Sequence, residues 1–175
     1  LPSGPPTENS DLVSVESVRS ISNLSEFIEN PQSVRKNPEA SPETPESCLG
    51  VYDQPTVFGD NWSTFRSAAY NATLDNPRIP DIASILQVIA TYPDNNSVQS
   101  RLDRLRSAIT RCAEANIPFY SIVPQQEDRS TIVLNSDEAT YIYRADQSRL
   151  LYVAANGPFD TSRAALEISN QLSSN

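Results

Sequence analysis

Cys48 and Cys112 are the only sulfur-bearing side chains in a chain that holds no histidine and no methionine. The chemistry open to such a pair is narrow: a disulfide, which belongs to an oxidising compartment, or two buried thiols. Without histidine there is no Ser/His/Asp or Cys/His arrangement and no His-ligated metal, so the commonest hydrolase and metalloenzyme chemistries have no residues to run on. Carboxylates for acid/base work exist at Asp128, Asp137, Glu138 and Asp146, yet they fall in turn-rich stretches and turn chemistry accounts for them. The glycines at 4, 50, 59 and 157 form no phosphate-cradling loop. No catalytic residue, metal site or cofactor is expected, and the chain reads as a domain that binds.

Binding needs aromatic platforms and hydrogen-bonding groups that converge on a concavity. The residues on offer are Tyr52, Trp62, Arg66, Gln87, Tyr92, Tyr120, Tyr141 and Tyr143. A tyrosine serves equally well in a core or on a sheet surface, so none of them marks a site by itself. Gln87 is sharper. An amide inside an apolar strand needs a partner, so it either bonds a neighbouring segment or is presented to a ligand. Arg101, Arg104, Arg106 and Arg111 could clamp a phosphate or a carboxylate, and Arg104 and Arg111 share a helical face, although a solvated helix surface accounts for them as simply.

The elements that must position these residues follow from periodicity. Residues 97 to 115 form the clearest helix: Val98, Leu102, Leu105, Ile109 and Cys112 recur at spacings of four and three, which puts Cys112 on the buried face. The run from 82 to 92, with Ile85, Leu86, Val88, Ile89 and Tyr92, is a central strand by its β-branched content. Residues 62 to 74 fit helix and strand equally. Residues 12 to 30 are helix-like, with Ser14 as cap, Val18 and Ile21 on one face, and Asn23 or Ser25 as an interruption before Leu24, Phe27 and Ile28. Short β-rich runs at 117–123, 131–134, 139–144 and 150–155 with brief links read as an antiparallel meander, in which Tyr141 and Tyr143 share a face and Ile142 points the other way. Thr161 or Asp160 starts a last helix bearing Ala164, Ala165, Ile168 and Leu172.

The 175 residues suffice for one domain with a real core. Residues 1–10, rich in proline and glycine, read as a flexible tether, and 11–175 as a single domain interrupted by a Pro-rich loop at 31–47. The net charge of −9, from 22 acidic and 13 basic side chains, disfavours a nucleic acid or an anionic bilayer as partner. No run approaches the length of a membrane span.

Six features together resemble a known family. They are Leu12-Val13-Ser14-Val15-Glu16 at the opening of the first helix, Cys48-Leu49-Gly50, Trp62, the strand end Leu86-Gln87-Val88-Ile89-Ala90-Thr91-Tyr92-Pro93, and the helices ending at Cys112 and spanning Ala164 to Leu172. The chain resembles, over most of its length, the PknH-like extracellular sensor domains of mycobacterial receptor kinases and related actinobacterial lipoproteins and secreted proteins. That resemblance implies an α+β fold, a twisted antiparallel β-sheet meander with helices packed against it, leaving a cleft for an extracellular ligand. It also implies a Cys48–Cys112 disulfide and an extracytoplasmic place in or outside the cell envelope. A signal peptide, lipid-attachment segment or transmembrane stalk is then expected ahead of Leu1. Kinase-type members carry a second disulfide between late strands, and no cysteine stands near Tyr143 or Ala155 here, so the late hairpin is expected to be less restrained. The function so implied is a sensor-type, non-enzymatic ligand-binding domain, its ligand a small molecule, lipid or cell-wall fragment. The alternative is an interaction or scaffold protein that docks another envelope protein through its sheet face or the 31–47 loop.

Overall fold

The structure is a computed structural model that describes residues 11–75, 81–125, 128–137 and 139–174. The expected tether at 1–10, the Asn76-Pro77 and Ile79-Pro80 breaks, and Glu138 lie outside the described residues. The strands are β1 (Ile28–Arg35), β2 (Thr64–Leu74), β3 (Asp81–Thr91), β4 (Val123–Gln125), β5 (Thr131–Asn135), β6 (Ala139–Asp146) and β7 (Arg149–Asn156). They form one sheet in the order β1-β2-β3-β7-β6-β5-β4 with every neighbouring pair antiparallel. The expected α+β class and antiparallel meander are therefore present. Two consecutive meanders, β1 to β3 and β4 to β7, meet at the centre, where Gln87 stands opposite Val153.

β3 and β7 read as nearly continuous apolar runs because both faces of the sheet are covered. On one face lie α1 (Val15–Ser22) and α5 (Thr161–Ser174), packed on Ala68, Tyr70, Ala72, Ala83, Ile85, Ile142, Leu151, Val153 and Ala155. On the other lie a single 3-10 turn (Glu46–Cys48), α2 (Leu49–Tyr52), α3 (Gln54–Phe58) and α4 (Asn95–Ala115), against Phe65, Val88, Ala90, Leu134, Tyr143, Leu150 and Tyr152. The alternation of side chains along each strand sorts the two sets. α4 follows its apolar stripe as expected, starts on the Asp94 carboxylate, which accepts from the Ser97 N–H, and stops at Asn116 in the left-handed region. Cys112 on that stripe is bonded to Cys48, closing a span of 64 residues. Gly50 in α2 allows the close crossing: a Cβ there would lie 2.6 Å from Ala108 Cβ.

Three expectations are corrected. Residues 12 to 30 are not one helical stretch: α1 ends at Ser22, Asn23 takes a left-handed φ of 59°, and after a turn β1 begins at Ile28. Leu24, Phe27 and Ile28 therefore carry no second helix. The 31–47 segment is not irregular throughout, because its first residues belong to β1. That strand shows no period-two pattern and contains Pro31. It is held by pairing Ile28 to Asn71, Glu29 to Tyr70 and Asn30 to Ala69, then by an irregularity before Arg35 meets Ser67. The Ser33 hydroxyl accepts from the Ala69 N–H at 2.7 Å across that irregularity. The run at 117–123 is not a strand over its length either. Phe119 has a φ of 70°, which breaks the extension, and only Val123–Gln125 pairs as β4. Residues 62 to 74 resolve in favour of a strand.

Candidate functional site

The helical face that includes α4 is covered only in part. Toward the far end of the sheet, Leu86 of β3, Ala154 of β7 and Tyr141 of β6 stand side by side, since Leu86 and Tyr141 both pair with Ala154. All three are half-buried. At the Leu86 end of this row lies a cavity of about 500 Å³ floored by Leu86 and Tyr152 and walled by the 39–43 segment, Tyr52 and Gln54.

Short-range chemistry builds the walls. Asp53 caps α3, accepting from the Thr56 N–H, and Pro55 sits within the first turn where its missing N–H costs nothing. The other Asp53 oxygen accepts from the Ser41 N–H at 2.8 Å, and Gln54 Oε1 accepts from the Glu39 N–H at 2.8 Å. The 39–43 wall is thus hung on the start of α3. Burial works against the charge of Asp53, but the Thr56 hydroxyl and the Ser41 and Thr56 N–H groups outweigh it and hold its carboxyl below the usual range.

Beside the cavity, the Tyr52 ring packs at 5.7 Å from Tyr120 and 5.4 Å from Tyr141. The three come from α2, from the loop after α4, and from β6. Burial, then the neighbouring Tyr141 and Tyr120, push the Tyr52 pKa far up, and burial raises that of Tyr141, so the Tyr52 and Tyr141 rings are neutral at ordinary pH. No hydrogen bond among the described residues spends the hydroxyl of Tyr52 or Tyr120.

The remaining expected binding residues stand elsewhere, each with a partner of its own. Gln87 is fully buried on the α1/α5 face. Its Oε1 accepts from the Val13 N–H at 2.8 Å and its Nε2 donates to the Val13 carbonyl at 2.9 Å, so it bonds a neighbouring segment. Tyr70 adds its hydroxyl to the same carbonyl, and burial followed by the Glu29 charge pushes its pKa up to about 12. Tyr143 is fully buried, stacks on Tyr152 at 4.6 Å and donates to the Val51 carbonyl. Tyr92 is buried and donates to the Phe58 carbonyl. Trp62 packs on Phe65 and donates to the Gly59 carbonyl at 3.0 Å. Arg66 projects from the other face of β2, where it meets Asp11 at 3.3 Å.

Of the expected residues, Tyr52, Tyr120 and Tyr141 are brought together. Glu39, Glu43, Gln54, Leu86 and Tyr152 were not foreseen. The Asp53-Gln54-Pro55-Thr56 stretch, a capping residue followed by proline in a first turn, is the sequence signal that marks α3 and with it Gln54. Among the described residues no group of three or more Cys, Asp or Glu could hold a metal ion, and no helix is long and apolar enough to cross a membrane.

No family profile matches the sequence, and no curated protein is similar to it. The fold is similar to that in the crystal structure of the extracellular domain of PknH from Mycobacterium tuberculosis, with a TM-score of 0.72. The superposition covers 95% of this chain and 92% of that chain at 12% sequence identity. At that identity the likeness is one of fold.

Proposed function

We propose that the chain is an extracytoplasmic, sensor-type domain that performs no catalysis and takes a small neutral or cationic polar ligand in the cleft over Leu86 and Tyr152. The observation that carries this reading is the cavity of about 500 Å³, lined by Tyr52, whose ring packs on Tyr120 and Tyr141. That volume suits a small molecule. Tyrosine rings offer flat apolar faces with hydroxyl groups at their rims, the combination that suits a sugar ring or an amine-bearing fragment. Glu39 and Glu43 on the wall favour hydroxyl or ammonium groups and oppose an anion. The extracytoplasmic placement is supported by the disulfide, which belongs to an oxidising compartment, and by a fold shared with an extracellular domain.

The test is calorimetric titration of the folded protein with cell-wall saccharide fragments, polyamines and short-chain lipids, beside a Leu86→Trp variant that fills the floor. Saturable binding of one class, lost in L86W with the fold intact by circular dichroism, supports the reading. Binding of no class, or binding unchanged in L86W, overturns it.

A further inference from the structure

A second cavity, of about 350 Å³, lies between α3 and the middle of α4 and shares no lining residue with the cleft. Arg101, Arg104 and Arg111 all line it, together with Ser107, and no carboxylate does. Positions 101, 104, 108 and 111 recur at helical spacing and form one stripe, along which Ala108 leaves room between the long side chains.

Among the described residues none of these three guanidinium groups has an ion pair or a hydrogen bond. Five other arginines, Arg35, Arg66, Arg106, Arg149 and Arg163, each stand against a carboxylate, and Arg19 and Arg144 donate to a carbonyl and an amide oxygen. In a chain with 22 acidic and 13 basic side chains, partners for arginine are plentiful. Of the acidic positions on the same helix, Asp103 accepts from Arg106 and from Gln99, and Glu114, three residues beyond Arg111, makes no ion pair with it among the described residues. Arg101 is also held in place. Its guanidinium packs on Gly59, whose φ of 69° suits glycine, and a Cβ there would fall 2.4 Å from Arg101 Cζ. Three like charges gathered around one concavity repel each other unless an anion joins them.

We propose that this cavity binds a phosphate-bearing ligand, its phosphoryl oxygens taken by forked hydrogen bonds from Arg101, Arg104 and Arg111, with the Ser107 hydroxyl as a further donor. The volume exceeds what one phosphate fills, so a phosphomonoester, a diester or a pyrophosphate group fits the chemistry. The source is a soluble phosphorylated molecule or a phospholipid headgroup. The site is independent of the proposed cleft ligand, which Glu39 and Glu43 bias toward neutral or cationic groups.

The test uses the full chain and two probes: pyrophosphate in solution, by calorimetry, and phosphatidylglycerol vesicles, by co-sedimentation. The variant is Arg104→Gln with Arg111→Gln, both exposed positions. The charge-matched control is Lys36→Gln with Arg129→Gln. The expected result is saturable binding to at least one probe, weakened about tenfold or more in R104Q/R111Q and within about twofold of the parent in the control. Binding to pyrophosphate assigns a soluble source, and binding to vesicles alone assigns the headgroup. No saturable binding to either probe overturns the proposal, and so does equal weakening in variant and control, which would reduce the effect to overall charge. The L86W variant separates the two sites: it leaves phosphate binding unchanged if this site stands, whatever it does to the cleft.

Discussion

The two faces of the sheet are built from different materials. The face under α1 and α5 carries the small residues Ala68, Ala72, Ala83 and Ala155, met by Ala164 and Ala165 of α5, all essentially inaccessible, and its one prominent amide is spent on the Val13 backbone. The face under α2, α3 and α4 is lined by bulky rings, Phe65, Tyr143 and Tyr152, with Phe58 of α3 packed on them, and its cover is fastened by a covalent bond. Small side chains let helices approach a sheet closely and seal it. Large ones hold the covering helices further off, so the cover stays partial and needs a tie. The sealed side supplies stability, and the tied side leaves a concavity to use.

Removing the tie is the strongest challenge to that contrast. Replacing Cys48 and Cys112 together by serine is expected to cost about 4 kcal/mol, measured by chemical denaturation. Hydrogen exchange should quicken in α2, α3 and α4 before α1 and α5. Equal quickening on both sides would break the comparison. Next in size is Gln87→Leu on the sealed face, which strands the Val13 N–H in the interior while Tyr70 still serves the carbonyl. About 2 kcal/mol should be lost, with limited proteolysis moving to the 11–14 segment.

Asp53 tests the open side by pH. Its carboxyl is held low in the fold, so its stabilising effect is fully present above the unfolded carboxylate range near pH 4 and is lost as pH falls through the lower folded value. Acid titration of Asp53→Ala should lack that component, and the variant should be weaker by about 1 kcal/mol at neutral pH from the lost cap alone. The smallest effect has the opposite sign. Ser169 of α5 buries a hydroxyl with no hydrogen-bond partner among the described residues, so Ser169→Ala should raise stability by up to about 1 kcal/mol in a thermal melt. A loss there would mean that the alanine-lined face is less sealed than its burial implies.

What was legible in the sequence was local. α4 could be read because five apolar residues from Val98 to Cys112 repeat on one face, and β3 because a strand buried on both sides is apolar throughout. β1 could not, since an edge strand with one wet face and Pro31 shows no alternation, and only its pairing to β2 defines it. α2 and α3 span four and five residues, too short for any period, and are held by the Cys48 bond and the Asp53 cap. The same divide runs through the site. Tyr52, Tyr120 and Tyr141 each stood out as binding types, but their meeting depends on a chain path through three distant elements. Gln87 announced that it needed a partner, while the partner, a backbone 74 positions away, carries no side-chain signal.

The margins of the sheet have a consequence for how the protein behaves in company. β1 is irregular and contains Pro31, and β4 is three residues long with Pro124 at its centre. Each proline removes an N–H that an incoming strand would need, and the irregularity bends what remains. Strand-by-strand growth into fibrils is therefore blocked at both ends by covalent structure. Because this block is not electrostatic, it should hold at high salt, where the mutual repulsion from a net charge of −9 is screened away.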